Sequence, residues 1–268
     1  MASSQNIVDL PRIAPVLLRG FRLIAQRRLR GGFRAVRALH PERLAHAGAG
    51  PLIVYLNHPS WWDPLLCLVA SAALQPGREH YAPISATALK KYPLFGRLGM
   101  FPVEQQSGQG SARGAVQFLR GAQAVLRSGG VLWVTAQGHF TDVRERPTVL
   151  KDGLGALLAR TETATVIPMA VEYTFWNQRL PEALLAFGTP IPVRAGATTA
   201  QWTRLLEQHL ETVQDELAAA SRQRDPALFK TLIEGNSGTA GLYGAWQRLR
   251  ARLRGERFAA DHASEDAE

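Results

Sequence analysis

The segment Leu52-Ile53-Val54-Tyr55-Leu56 constrains the fold more than any other. It is an uninterrupted apolar run rich in β-formers, it follows the turn signal Gly48-Ala49-Gly50-Pro51, and it is too short for a helix. It reads as a buried strand. His80 to Ser85, Val131 to Thr135 and Thr165 to Tyr173 have the same character, with a weaker candidate at Ala183 to Phe187. Helical patterns lie between them. One begins near Pro64 and runs to Leu74. Another, Ala112 to Arg127, puts Ala115, Leu119, Ala122 and Leu126 on one face and stops at Gly129-Gly130. Gly153 to Arg160 and Gln201 to Ser221 are further helix candidates. Strands that alternate with helices predict an α/β domain with a mixed, largely parallel sheet flanked by helices.

A chain of 268 residues can close a single core of this kind. The expected division is a basic amphipathic N-terminal segment over 1–47, a main domain over 48–222, and a basic C-terminal extension over 223–268 with a disordered tail from Glu256. Between Arg12 and Arg37, Leu17, Phe21 and Ile24 recur at helical spacing among arginines until Gly31-Gly32. Such a helix can lie in a lipid interface, or it can be an ordinary surface helix packed by its apolar face. Trp246 to Arg254 is a second arginine-rich stretch that can reinforce a basic face. The formal net charge of +9 implies an anionic partner. No run is long enough to span a bilayer and no secretory pattern opens the chain, so membrane association is expected to be peripheral, on a cytoplasmic face. The single cysteine, Cys67, excludes a disulfide framework and a cysteine-cluster metal site.

His58 follows the first strand at once, and Asp63 stands where the next helix begins. Ligands of α/β sheets bind outside the carboxyl ends of strands, so this is a favoured place for chemistry. Imidazole accepts a hydroxyl proton near neutral pH, and an adjacent carboxylate fixes its tautomer and stabilises the imidazolium. A histidine and an aspartate at this spacing also fit a structural histidine beside a helix-capping aspartate.

Four segments in order decide for chemistry. Asn57-His58-Pro59-Ser60-Trp61-Trp62-Asp63 fits the pattern Asn-His-x-Ser-x-x-Asp, and Phe101-Pro102-Val103, Val131 to Gly138 and Val166-Ile167-Pro168-Met169 follow. Together they resemble the four motifs of the glycerolipid acyltransferase family, which includes the lysophosphatidate acyltransferases. The resemblance implies transfer of a fatty acyl group to a lipid hydroxyl, with His58 as base and Asp63 as its partner. It also implies acyl-CoA or acyl-carrier protein as the co-substrate, with no other cofactor and no metal. Asn57, Phe101, Gln105, Gln137, Gly138 and Arg144 are the expected substrate-binding positions.

The motifs also depart from the family. Where phosphate-binding arginines are usual in the second and third motifs, this chain has Gln105 and, on an ungapped alignment, Phe140; the third-motif glutamate is Gln137. The acceptor is therefore either a lysophospholipid or a lipid alcohol without a phosphomonoester. Arg144 and Arg146, or Lys90, Lys91 and Arg97, can meet a phosphate from shifted positions or be solvated charges. Trp61 and Trp62 can line an acyl channel or a lipid boundary, with core packing the alternative for at least one. The rival classes are a basic membrane- or nucleic-acid-binding module and a His/Asp metal-dependent hydrolase using His58, Asp63, His139 and Asp142. The arginines form no nucleic-acid motif with interleaved aromatics, so nucleic acid is not an expected partner. No metal-ligand spacing matches either.

Overall fold

A computed structural model of the chain describes residues 10–106, 109–110 and 112–235. The Trp246 to Arg254 stretch and the tail from Glu256 lie outside these residues. The chain opens with α1 (Pro15–Gly32), β1 (Ala35–Leu39), α2 (Pro41–Ala45) and β2 (Leu52–Leu56), followed by α3 (Asp63–Leu74), β3 (His80–Ser85) and α4 (Ala86–Lys91). After a 3-10 segment at Pro93–Leu98 come β4 (Met100–Val103), the short strands β5 (Gln105–Gln106) and β6 (Gln109–Gly110), α5 (Ala112–Arg127) and β7 (Val131–Thr135). The remaining elements are α6 (Gly153–Leu158), β8 (Thr163–Thr174), β9 (Glu182–Phe187), β10 (Ile191–Arg194), α7 (Thr199–Gln223) and β11 (Lys230–Glu234).

The main sheet runs β11-β1-β9-β8-β2-β7-β3-β4, with β10 on β8. Its centre is parallel: β2 pairs with β8 and β7, and β3 with β7 and β4. The antiparallel pairings are β8 with β9 and β10, and β1 with β11. The uniformly apolar β2 has a simple cause. Leu52, Val54 and Leu56 face a layer that includes Leu29 of α1 and Leu66, Val69 and Leu74 of α3. Ile53 and Tyr55 face α5, α6 and α7 through Phe118, Leu154, Leu157 and Leu206. Side chains alternate between the two sheet faces and both faces are covered. Tyr55 is tolerated there because its hydroxyl donates to the Leu206 carbonyl at 2.9 Å.

The flanking segments enter the sheet more deeply than the sequence predicts. The helix α1 stops at Gly32, and Ala35–Leu39, read as part of the N-terminal segment, becomes a fully buried strand parallel to β9. Its Arg37 is buried against Glu182 at 3.1 Å and also donates to Thr231. From the C-terminal extension, Lys230–Glu234 pairs with the other edge of β1.

Candidate active site

The site is built where β2 ends. Asn57 continues the pairing of β2 with β8 by side chain: its amide nitrogen donates to the Val171 carbonyl at 2.9 Å and its amide oxygen accepts from Val171 N–H at 2.8 Å. A carboxamide has the donor and acceptor of a peptide group, so it extends the ladder while the backbone turns away. Asn57 is buried, and its role here is to register β8 beneath the site.

The next residue is fixed on three sides. His58 N–H donates to Gln137 Oε1 at 2.8 Å, and its carbonyl accepts from Thr141 N–H at 3.0 Å. Its Nδ1 lies 2.6 Å from Asp63 Oδ2, with the histidine side chain 18% exposed and the aspartate 0%. Ser60 N–H also donates to Asp63 Oδ2, at 3.2 Å, while Asp63 N–H donates to the Ser60 carbonyl. This reciprocal pair shapes the turn that brings a residue five positions on back to the imidazole. Asp63 also begins α3, where free backbone N–H groups favour an anion. With Nδ1 given to the carboxylate, Nε2 is the imidazole's acceptor.

Asp63 has a second partner that lies far away in sequence. Tyr173, near the end of β8, donates its hydroxyl to Asp63 Oδ1 at 2.6 Å. Burial, and then the charge of Asp63, push its ionisation far above the ordinary tyrosine value, so the phenol stays protonated. Cys67, one turn along α3, is likewise held as a thiol by burial and by Asp63. Tyr173 is not evident as a site residue from the sequence. Its only signal is a tyrosine two positions beyond Val171, and so on the same face of β8.

Phe140 lies over His58, with ring centroids 4.5 Å apart, and is 60% exposed. The position aligned with a phosphate-binding arginine is thus an apolar wall of the site. Gln137 is buried and braces the His58 backbone, a task its amide oxygen performs as a carboxylate oxygen would. Gly138 has φ +71, and a Cβ there would meet the Lys151 side chain at 2.6 Å, so the stem of Lys151 lies directly across this glycine. Phe101 is not on the site surface. It is buried against Gly121, whose missing Cβ makes room for the ring. The Gln105 backbone forms β5, and its side chain lies outside the described part of the structure. Arg144 is an exposed loop residue held by both carboxylate oxygens of Asp142, and Arg146 is held by Asp215 at 2.6 Å. Neither is joined to the His–Asp pair. Among the described residues no three His, Cys, Asp or Glu side chains converge as a metal site would require.

Trp62 packs into the fold against Phe33 and Gly32. Trp61 stacks on it and is 62% exposed. Beside them an open groove of about 840 Å3 is lined by Ile24, Arg27, Arg28, Gly31, Gly32 and Trp62. The outer face of α1 is unusual: Val16, Leu23 and Ile24 are exposed among the exposed Arg19, Arg27, Arg28 and Arg30.

Comparison with known proteins gives a family and a fold. No curated protein matches the chain. Among solved structures, the 1-acyl-sn-glycerophosphate (LPA) acyltransferase PlsC from Thermotoga maritima is similar with a TM-score of 0.52 and 16% identity, over 75% of this chain and 79% of that one. At that identity the likeness is one of fold. The family model described as Acyltransferase matches residues 35–172, from β1 to the end region of β8 and spanning both His58 and Asp63, so the chain belongs to the acyltransferase family.

Proposed function

We propose that this protein moves a fatty acyl group from a thioester, acyl-CoA or acyl-carrier protein, onto a lipid hydroxyl at an anionic membrane surface. The observation that carries the reading is the 2.6 Å contact between His58 and a fully buried Asp63. His58 Nε2 takes the acceptor's hydroxyl proton as the oxygen attacks the thioester carbonyl. Asp63 holds the imidazole in the competent tautomer and stabilises the imidazolium. The tetrahedral intermediate collapses, the carbon–sulfur bond breaks, and the thiolate leaves with the proton that His58 returns. No acyl-enzyme forms.

Phe140 against His58, with Arg144 neutralised by Asp142, favours an acceptor with no phosphomonoester beside the reacting hydroxyl. The membrane reading rests on α1. Apolar side chains exposed among arginines suit the boundary between acyl chains and phosphates, and Trp61 suits the same depth. Among the described residues no helix is long and apolar enough to cross a membrane, and the proposed contact is peripheral.

The test is thiol release from acyl-CoA and acyl-carrier-protein donors, with lysophosphatidate and phosphate-free lipid alcohols as acceptors in vesicles containing anionic lipid. Release that needs an acceptor, is greater with the phosphate-free alcohols and disappears in His58→Ala supports the reading. Release that is equal in His58→Ala, or absent with every pair, contradicts it.

A further inference from the structure

We propose that Tyr173 is a positioning residue of this site: its hydroxyl fixes Asp63 Oδ1, leaving Oδ2 aimed at His58, and thereby sets how tightly the His–Asp pair holds its shared proton. The proposal rests on the acyltransferase reading for its kinetic consequences, but its structural part stands without it.

An ionised carboxylate that no water reaches must find its donors in the protein. Asp63 is fully buried, and its two oxygens are served separately. Oδ2 takes His58 and Ser60, while Oδ1 takes Tyr173 at 2.6 Å, a length typical of a hydroxyl donating to an anion. The phenol is itself held in place. Val171 is pinned by Asn57, so Tyr173 arrives on the same face of β8 at a set height, and its ring lies 5.5 Å from that of Phe33, the residue that caps α1. Because it stays protonated, it can only donate to Asp63. The other titratable neighbour, the Cys67 thiol, is held neutral as well.

Removal of the hydroxyl leaves a buried anionic oxygen without its donor. The carboxylate then draws more on the imidazole, which is expected to hold its proton to higher pH than in the wild type. In Tyr173→Phe the acidic limb of the kcat/KM profile is expected to move up by about half to one pH unit. The same variant is expected to lose about tenfold in kcat, with KM for both substrates unchanged. Replacement of Tyr173 by 3-fluorotyrosine keeps the shape and strengthens the donor, so the limb moves down. That variant also carries the test if Tyr173→Phe does not fold.

The experiment follows the His58 ring by NMR in the substrate-free protein, with His58→Ala for assignment, alongside the pH–rate profiles. Opposite shifts of the His58 titration in the two variants establish the role, and they do so even if no variant transfers acyl groups, in which case it is the acyltransferase reading that fails. A His58 titration and an acidic limb that both stay at the wild-type position in the two folded variants would overturn the proposal.

Discussion

At the scale of single residues, the proposed mechanism separates groups that do chemistry from groups that hold them. In the proposed mechanism Asp63 acts through charge. Asp63→Asn keeps nearly the same volume, but an amide cannot stabilise an imidazolium, so kcat is expected to fall by about 10²- to 10⁴-fold with substrate KM little changed. Steady-state kinetics on the folded variant checks this; activity within a few fold of wild type would remove Asp63 from the mechanism. His58 and Asp63 were legible in the sequence because the turn that joins them is local, five residues long and closed by Ser60. Tyr173 was not legible, since 110 residues separate it from Asp63 and only the register of β8 brings it there. Asn57 and Gln137 are expected from the sequence to bind substrate. That both brace the backbone, rather than face substrate, depends on partners across the sheet.

At the scale of elements, the apolar runs identified β2 and β7, because strands covered on both faces carry an unmistakable composition. β1 was hidden by Arg37, which reads as a surface charge beside the arginines of α1. The structure shows why it is admitted: Glu182, its near neighbour in the parallel register with β9, meets it inside the protein. Burial raises the Glu182 carboxyl above its ordinary value while Arg37 pulls it down. Arg37→Met would leave that acid buried without its cation. The expected cost is about 3–5 kcal/mol, read from chemical denaturation at neutral pH. A loss under about 1 kcal/mol would mean that the pair contributes little beyond its own desolvation.

At the scale of the whole molecule, two features depend on the surroundings. The first is acidity. His80 accepts from Trp133 Nε1–H at Nδ1 and donates from Nε2 to the Gln75 carbonyl, so the fold holds it neutral. Burial, with a smaller contribution from Arg22 and Arg78, pushes it down to about 4 from its ordinary 6.5. The unfolded chain therefore binds this proton first. The stability it contributes is full above about 6.5 and is lost as pH falls towards 4, roughly 3 kcal/mol in all. His80→Gln, which can still accept from Trp133, is expected to show a smaller fall in melting temperature between pH 7 and pH 4.5; an identical fall would assign the acid sensitivity to other groups. The second feature is the arrangement of α1, with its exposed arginines and apolar side chains, around the groove beside Trp62, one residue before Asp63. It places a surface suited to lipid next to the His58–Asp63 pair, as the proposed transfer to a membrane-borne acceptor requires.

In the proposed mechanism His58 activates a lipid hydroxyl for attack on a thioester. The most direct test is transfer of an isotope-labelled acyl chain from acyl-CoA or acyl-carrier protein to vesicle-borne acceptor, comparing wild type with His58→Gln and weighing the intact protein after exposure to donor alone. Labelled ester is expected from wild type, at least about 10²-fold less from the variant, and no added mass on the protein. Equal ester from both proteins, or a stable acyl adduct that acceptor discharges, would contradict the mechanism.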